Sequence, residues 1–135
     1  MRSESVKGAL YDIRDNILFA REFVDRLTAG TFTASRLHVY AATRALEIIS
    51  EATRRLPDDL RNRHPHLPWR SIRDVGNFYR HQYDNVAASY VWETVTAHLP
   101  PLLAAVLTEI EALDKVAVMG ACLAPPFLDS RYVII

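Results

Sequence analysis

Apolar residues return along the N-terminal part of the chain at alternating steps of four and three: Val6, Leu10, Ile13, Ile17, Ala20, Val24 and Leu27. That spacing predicts a helix over residues 5–29 with one narrow seam turned toward other helices. Ser5 is placed to cap its start and Gly30 to end it. Phe19 and Phe23 stand off the seam and widen the buried face or form a second contact surface. A second helix is predicted over 34–56, with Leu37, Tyr40, Ala41, Ile48, Ala52 and Leu56 on its inner side and Leu46 and Ile49 broadening it. Pro57 stops it. Residues 56–69 are punctuated by Pro57, Pro65 and Pro68, leaving room for one short helix at 58–63 capped by Asp58 or Asp59.

Trp69, Ile72, Val75 and Tyr79 step by three, three and four, which predicts a third helix from Trp69 to about Tyr83, where Asp84-Asn85 breaks it. Tyr90, Val91, Val95 and Leu99 mark a fourth over 87–98. Pro100-Pro101 suits a kink or the first turn of a fifth helix, which Leu102, Leu103, Val106, Leu107, Ile110 and Leu113 support to about Lys115. The expected fold is all-α: an up-down bundle of four to five helices over residues 1–115. Residues 116–135 change character. They are apolar without a clear period, interrupted by Pro125-Pro126, and end in Tyr132-Val133-Ile134-Ile135. This tail docks on the bundle, pairs between subunits or stays without fixed structure; the pattern does not choose.

Composition narrows the function classes. A chain of 135 residues, half of them hydrophobic, is enough for one domain with its own core. Lys+Arg and Asp+Glu both number 16, so net charge does not advertise nucleic-acid binding. Only Lys7 and Lys115 are lysines, however, and seven arginines crowd between Arg54 and Arg80. Arg is the better residue for two-donor contacts to phosphate, but Glu51, Asp58, Asp59, Asp74 and Asp84 are close enough in sequence to neutralise much of that charge as surface pairs. Cys122 is the only cysteine, which excludes an intrachain disulfide and a thiolate metal cluster and fits the cytoplasm. Neither a signal peptide nor a transmembrane-length apolar run is visible.

The chemistry concentrates in residues 73–83, Arg-Asp-Val-Gly-Asn-Phe-Tyr-Arg-His-Gln-Tyr. On a helix, Arg73, Asn77 and His81 form a drifting column, with Arg80 and Tyr83 on the neighbouring face. An imidazole can move a proton near neutral pH and a guanidinium can hold a phosphate oxygen. Gly76 costs roughly 1 kcal/mol relative to Ala in a helix. It is tolerable where another backbone or a ligand comes close. Two other clusters read as structural. Glu47 and Glu51 fit a solvated helix face, and His64-Pro65-His66 fits a loop, since a zinc site needs more ligands than it offers. No metal site or cofactor is expected.

Four blocks in order resemble the HepT-like family of the HEPN superfamily: residues 44–52 (RALEIISEA), 67–73 (LPWRSIR), 76–83 (GNFYRHQY), and 91–95 (VWETV) with 99–102 (LPPL). The resemblance runs from about Val6 to Lys115 and leaves the tail outside. It implies a HEPN-type helical bundle that forms a homodimer, an expectation that Phe19, Phe23 and Gly76 also favour. It further implies the toxin of a type VII toxin–antitoxin pair: a metal-independent ribonuclease acting on RNA in a cleft at the dimer interface. The antitoxin would be a small MntA-type nucleotidyltransferase that silences the toxin by transferring AMP to a tyrosine. The family motif is Arg, four to six residues, His, any residue, Tyr. His81 matches its histidine, Tyr83 its tyrosine and AMP acceptor, and Asn77 the asparagine that usually follows the arginine. The arginine itself does not match, because Gly76 stands in its place. Either Arg73 or Arg80 substitutes, or the chain is a weak or inactive variant that binds a nucleotide or the nucleotidyltransferase.

Overall fold

The computed structural model describes residues 2–74 and 85–120. All regular structure among them is helical. We label the helices α1 (Arg2–Val24), α2 (Ala29–Thr33), α3 (Arg36–Arg54), α4 (Asp58–Asn62), α5 (Asn85–Glu93) and α6 (Leu99–Gly120). A further helical run covers 69–74, and a π-helical turn, Thr94–His98, joins α5 to α6.

The α1 seam is the centre of the core. Leu10, Ile13, Ile17 and Ala20 are wholly buried, and Val6, Val24 and Leu27 pack on the cluster from its edges. The seam meets α3 and α6. Polar contacts close its flanks: Arg55 reaches Asp12 at 2.6 Å and Lys7 approaches Asp114 at 4.0 Å. Both ends of α1 differ from expectation. The helix starts at Arg2, so Ser5 lies inside it rather than capping it. At the other end the chain leaves the helix through Arg26, whose φ of 66° is left-handed. Gly30 does not end α1 because it already belongs to α2. Thr28 caps that helix, its Oγ1 accepting from the Thr31 N–H at 3.1 Å while the Thr31 Oγ1 accepts from the Thr28 N–H at 2.8 Å. Helix α2 delivers Phe32 into the core, fully buried and tilted against Trp92 at 5.5 Å between ring centroids.

Helix α3 follows the predicted inner face in its C-terminal half, where Leu46, Ile49, Ala52 and the following Leu56 are buried beside Ala42, Ala45, Ser50 and Thr53, but not at its start, where Leu37 is 74% exposed and Tyr40 is 56% exposed. Ser35 caps the helix through the His38 N–H, and its hydroxyl lies 2.6 Å from the His38 ring. The first turn of α3 thus projects beyond the surface that α1 covers. The short helix appears as α4, but Pro57, not an aspartate, is its N-cap residue, and Asp58 and Asp59 occupy its first turn.

Pro100-Pro101 lies in the first turn of α6, as the sequence allows, but no loop separates that helix from α5: residues 85–120 are helical throughout, by way of the π turn. The two prolines remove the N–H groups that would bond the carbonyls four residues earlier, and their rings crowd those carbonyls. One wider turn relieves this, with the Leu99 N–H reaching back five residues to the Thr94 carbonyl. Helix α6 passes Lys115 and continues to Gly120, and the expected tail from 121 onward lies outside the described residues.

One carboxylate ties the irregular segment after α4 to α6. Glu109 is only 7% exposed, because Val106, Ile110 and Leu113 share its side of the helix. Arg63 donates to it twice, at 2.6 and 3.2 Å, and the His64 Nε2 lies at 2.6 Å. The Arg63 hydrogen bond holds the Glu109 carboxyl below its ordinary value of 4.5, against the opposing effect of burial, with His64 assisting. A group whose folded pKa is depressed stabilises the fold above its unfolded pKa, and that contribution fades as pH falls through the folded value. Wild-type protein should therefore lose unfolding free energy more steeply than Glu109→Gln as pH drops below about 4.5. At pH 7 the variant should be less stable by about 1.5–3 kcal/mol, toward the lower end because Arg63 is half exposed. Urea titrations from pH 7 to 3 give both numbers, and parallel stability curves would contradict this role for Glu109.

Candidate functional site

The helix that sequence reasoning assigned to the site begins where expected. Pro68 accepts from the Ile72 N–H at 3.0 Å, and Trp69 opens the helical run. The Trp69 indole N–H is shared between the Arg61 and His64 carbonyls, each at 3.0 Å. Leu67, buried to 7% exposure, fixes the approach to this turn, and Trp69 and Ile72 pack on the core.

One turn later stands Arg73. Its carbonyl accepts from the Ser50 hydroxyl at 2.5 Å and from the Arg54 guanidinium at 3.3 Å. Ser50 is 2% exposed, so this bond docks the helix to the buried face of α3. A helical carbonyl with two side-chain donors is pinned more firmly than the ladder alone would pin it. The Arg73 side chain is half buried and, among the described residues, has no carboxylate within ion-pair distance; the same holds for exposed Arg70. Three to four residues separate neighbours on a helix face. Arg70 and Arg73 therefore share one face, and Arg54 joins them through the Arg73 carbonyl. The other candidates, Asn77, Arg80, His81 and Tyr83, and Gly76 with them, lie outside the described residues.

The arginine-rich stretch divides in two. Arg54 pairs with Glu51 at 3.7 Å, Arg55 with Asp12, Arg61 with Asp58, and Arg63 with Asp59 and Glu109. Surface neutralisation therefore accounts for those four, whereas Arg70 and Arg73 have no carboxylate partner among the described residues. Glu47 and Glu51 pair with Arg44 and Arg54 across exposed turns, as expected of a solvated face. Among the described residues no group of three or more His, Cys, Asp or Glu is placed to hold a metal ion. None of the described helices is long and apolar enough to cross a membrane.

Three residues that matter were not singled out from sequence. Ser50 sits in one of the family-like blocks, but nothing in its spacing marks it as an anchor for Arg73. His64, read as plain loop, is bonded through its side chain to Glu109 and through its carbonyl to Trp69. Glu109 did carry a signal. It falls three residues after Val106 and four before Leu113, so it points inward, and an acid there requires buried donors. A groove of about 760 Å³ lies beside this cluster, bounded by Val6, Pro57, Leu60, Arg63, Glu109 and Leu113.

The family model described as "Ribonuclease HepT-like" matches residues 13–108. A protein of Thermococcus cleftensis named "Probable ribonuclease HepT" is 34% identical over 98 residues, covering 73% of this chain and 89% of the relative. A protein of Methanocaldococcus jannaschii named "Putative RNase MJ1216" is 29% identical over 118 residues, covering 85% of this chain and 98% of the relative. No solved structure matches the chain. The matched span takes in the α1 seam from Ile13 onward, the Ser50–Arg73 anchor, residues 73–83 and the π turn, and on that match the chain belongs to the HepT-like family of the HEPN superfamily.

Proposed function

We propose that this chain is a metal-independent endoribonuclease and the toxin of a type VII pair, held in check by an MntA-type nucleotidyltransferase. The observation that carries this reading is the family match over residues 13–108, within which His81 and Tyr83 keep the motif spacing. The RNA 2′-OH attacks the adjacent phosphorus and the 5′-oxygen leaves, giving a 2′,3′-cyclic phosphate and a 5′-OH end. His81 moves the proton, as base on the nucleophile or acid on the leaving group. Asn77 orients the imidazole or donates to the phosphate. The charge developing on phosphorus needs a guanidinium. Arg73 is our first choice, since its backbone is anchored and its side chain has no carboxylate partner among the described residues. Arg80, next to His81, is the other candidate. On this reading the protein acts in the cytoplasm.

A homodimer supplies two copies of His81, which divide the acid and base roles. Large exposed hydrophobics favour such an assembly: Leu37 at 74%, Tyr40 at 56%, Phe19 at 49% and Tyr90 at 46%. Leu37 and Tyr40 lie on α3 and Tyr90 on α5, two helices in contact with each other. Gly76 in the place of the motif arginine favours the alternative, a catalytically weak protein that binds a nucleotide or the nucleotidyltransferase, and one assay separates the two. Purified protein should scatter light as a species of roughly 31 kDa, twice 15.4 kDa. It should cleave RNA in EDTA, and His81→Ala should keep the dimer while losing at least ~10²-fold in rate. Equal cleavage by variant and wild type would assign the activity to a contaminant and leave the binding reading.

Tyr83 is the proposed acceptor for AMP. Two residues separate it from His81, about 200° around a regular helix, and Asp84-Asn85 follows at once. A last turn that opens there brings the phenol to the mouth of the cleft. The tyrosine oxygen attacks the α-phosphorus of ATP and pyrophosphate leaves. The resulting phosphodiester competes with RNA for arginine, and the adenosine blocks entry. Intact-mass spectrometry after incubation with the partner, ATP and magnesium should show a gain of one or more AMP units on wild type and none on Tyr83→Phe. The same gain on both would move the acceptor, with Tyr79 next in line.

A further inference from the structure

A carboxylate as buried as Glu109, among Val106, Ile110 and Leu113, is tolerable only when donors compensate for its lost hydration. All of its described donors come from one short segment. Oε1 takes the Arg63 Nη2, while Oε2 takes the Arg63 Nε and faces the His64 Nε2. The backbone of that segment makes the next link, because the His64 and Arg61 carbonyls both receive the Trp69 indole N–H. Trp69 is the first residue of the helical run that presents Arg73 one turn later. An unbroken series of short polar contacts therefore leads from the middle of α6 through His64 and Trp69 to the helix bearing Arg73. Ser50 and Arg54 hold the same helix from the α3 side.

We propose that Glu109 is a positioning residue for Arg73: by clamping Arg63 and His64 it fixes the carbonyl pair that seats Trp69, and so sets the direction of the helix presenting the arginine. The alternative is a local staple whose effect stops at the loop. The connectivity speaks against that, since one of the two carbonyls that hold the Trp69 indole belongs to His64, the residue Glu109 grips. A helix entry held only by its backbone turn would reorient readily, whereas a partly buried indole with its N–H satisfied twice has one seat. The functional half of the inference rests on Arg73 being the phosphate-holding group; the structural half does not.

The test follows amide hydrogen exchange by NMR in the full 135-residue chain, comparing wild type, Glu109→Gln, Trp69→Phe and the double variant. Glu109→Gln keeps the shape and removes the charge; Trp69→Phe keeps the ring and removes the donor. Each single variant should speed exchange at residues 70–74 by about tenfold or more. The double should be no faster than the faster single, because both cut one linkage. Amides at residues 10–17 of α1 should stay at wild-type rates. Unchanged exchange at 70–74 in Glu109→Gln, multiplied effects in the double, or equal acceleration in α1 would overturn the proposal. RNA cleavage supplies the functional arm. Glu109→Gln should lower kcat several-fold with KM near wild type, at a temperature where circular dichroism shows both proteins folded. An unchanged kcat alongside faster exchange would overturn the link to Arg73. Absence of His81-dependent cleavage in wild type would instead refute the nuclease reading, and the exchange result would still decide the positioning role.

Discussion

Burial of the α1 seam between α3 and α6 is the constraint on which the rest of the structure depends. Leu10, Ile13 and Ile17 have no exposed surface, and truncating any one of them to Ala would cost about 2–5 kcal/mol. That apolar contact sets the distance between α3 and α6. The described part of the site-bearing helix, residues 69–74, is bonded to α3 directly and to α6 through the loop before it, so its placement depends on that spacing. Only Trp69 and Ile72 of its described residues pack on that core, and both are partly exposed. Polar bonds do the remaining work: Ser50 and Arg54 from α3, and the Glu109 cluster from α6.

What could be read in the sequence follows from what local pattern encodes. The α1 seam was legible because its period is regular and its polar positions contrast sharply. The onset of the helix at Trp69 was legible because Pro68 precedes it. Helix α3 was misread at its start because Leu37 and Tyr40 are apolar yet lie beyond the covered part of the helix, and periodicity cannot report where a neighbour ends. Alanine made this worse, since Ala42, Ala45 and Ala52 carry the buried face with little apolar contrast. The loop-free join before Pro100-Pro101 was invisible for another reason. Two prolines normally mean a stop, and local pattern does not show that a π turn joins the helices on either side without a loop. For the candidate site, Arg73 and its approach were named from sequence. Its anchors were not, because Ser50–Arg73 and Glu109–His64 join residues 23 and 45 positions apart.

The charge balance now has a structural meaning. A net charge of zero argued against a nucleic-acid partner, yet it averages over two populations of arginine. Four of the seven in the crowded stretch are occupied by carboxylates, two of them, Arg54 and Arg55, in pairs exposed enough to be worth little individually. Arg70 and Arg73 are not so occupied among the described residues, and they lie on the helix leading to His81. Local availability, more than bulk charge, decides whether a surface can take a phosphate. On the proposed reading, Gly76 leaves the motif one guanidinium short, and Arg73, whose backbone Ser50 holds one turn earlier, takes over that role.

That substitution is the central claim, and comparing two alanine variants in one RNA-cleavage assay tests it most directly. Arg73→Ala and Arg80→Ala are assayed beside wild type in EDTA, with folding checked by circular dichroism. If Arg73 has taken over the missing arginine's role, Arg73→Ala loses at least ~10²-fold in kcat, the scale of one lost transition-state donor. Arg80→Ala then changes far less. Full activity in Arg73→Ala together with collapse in Arg80→Ala would contradict the account.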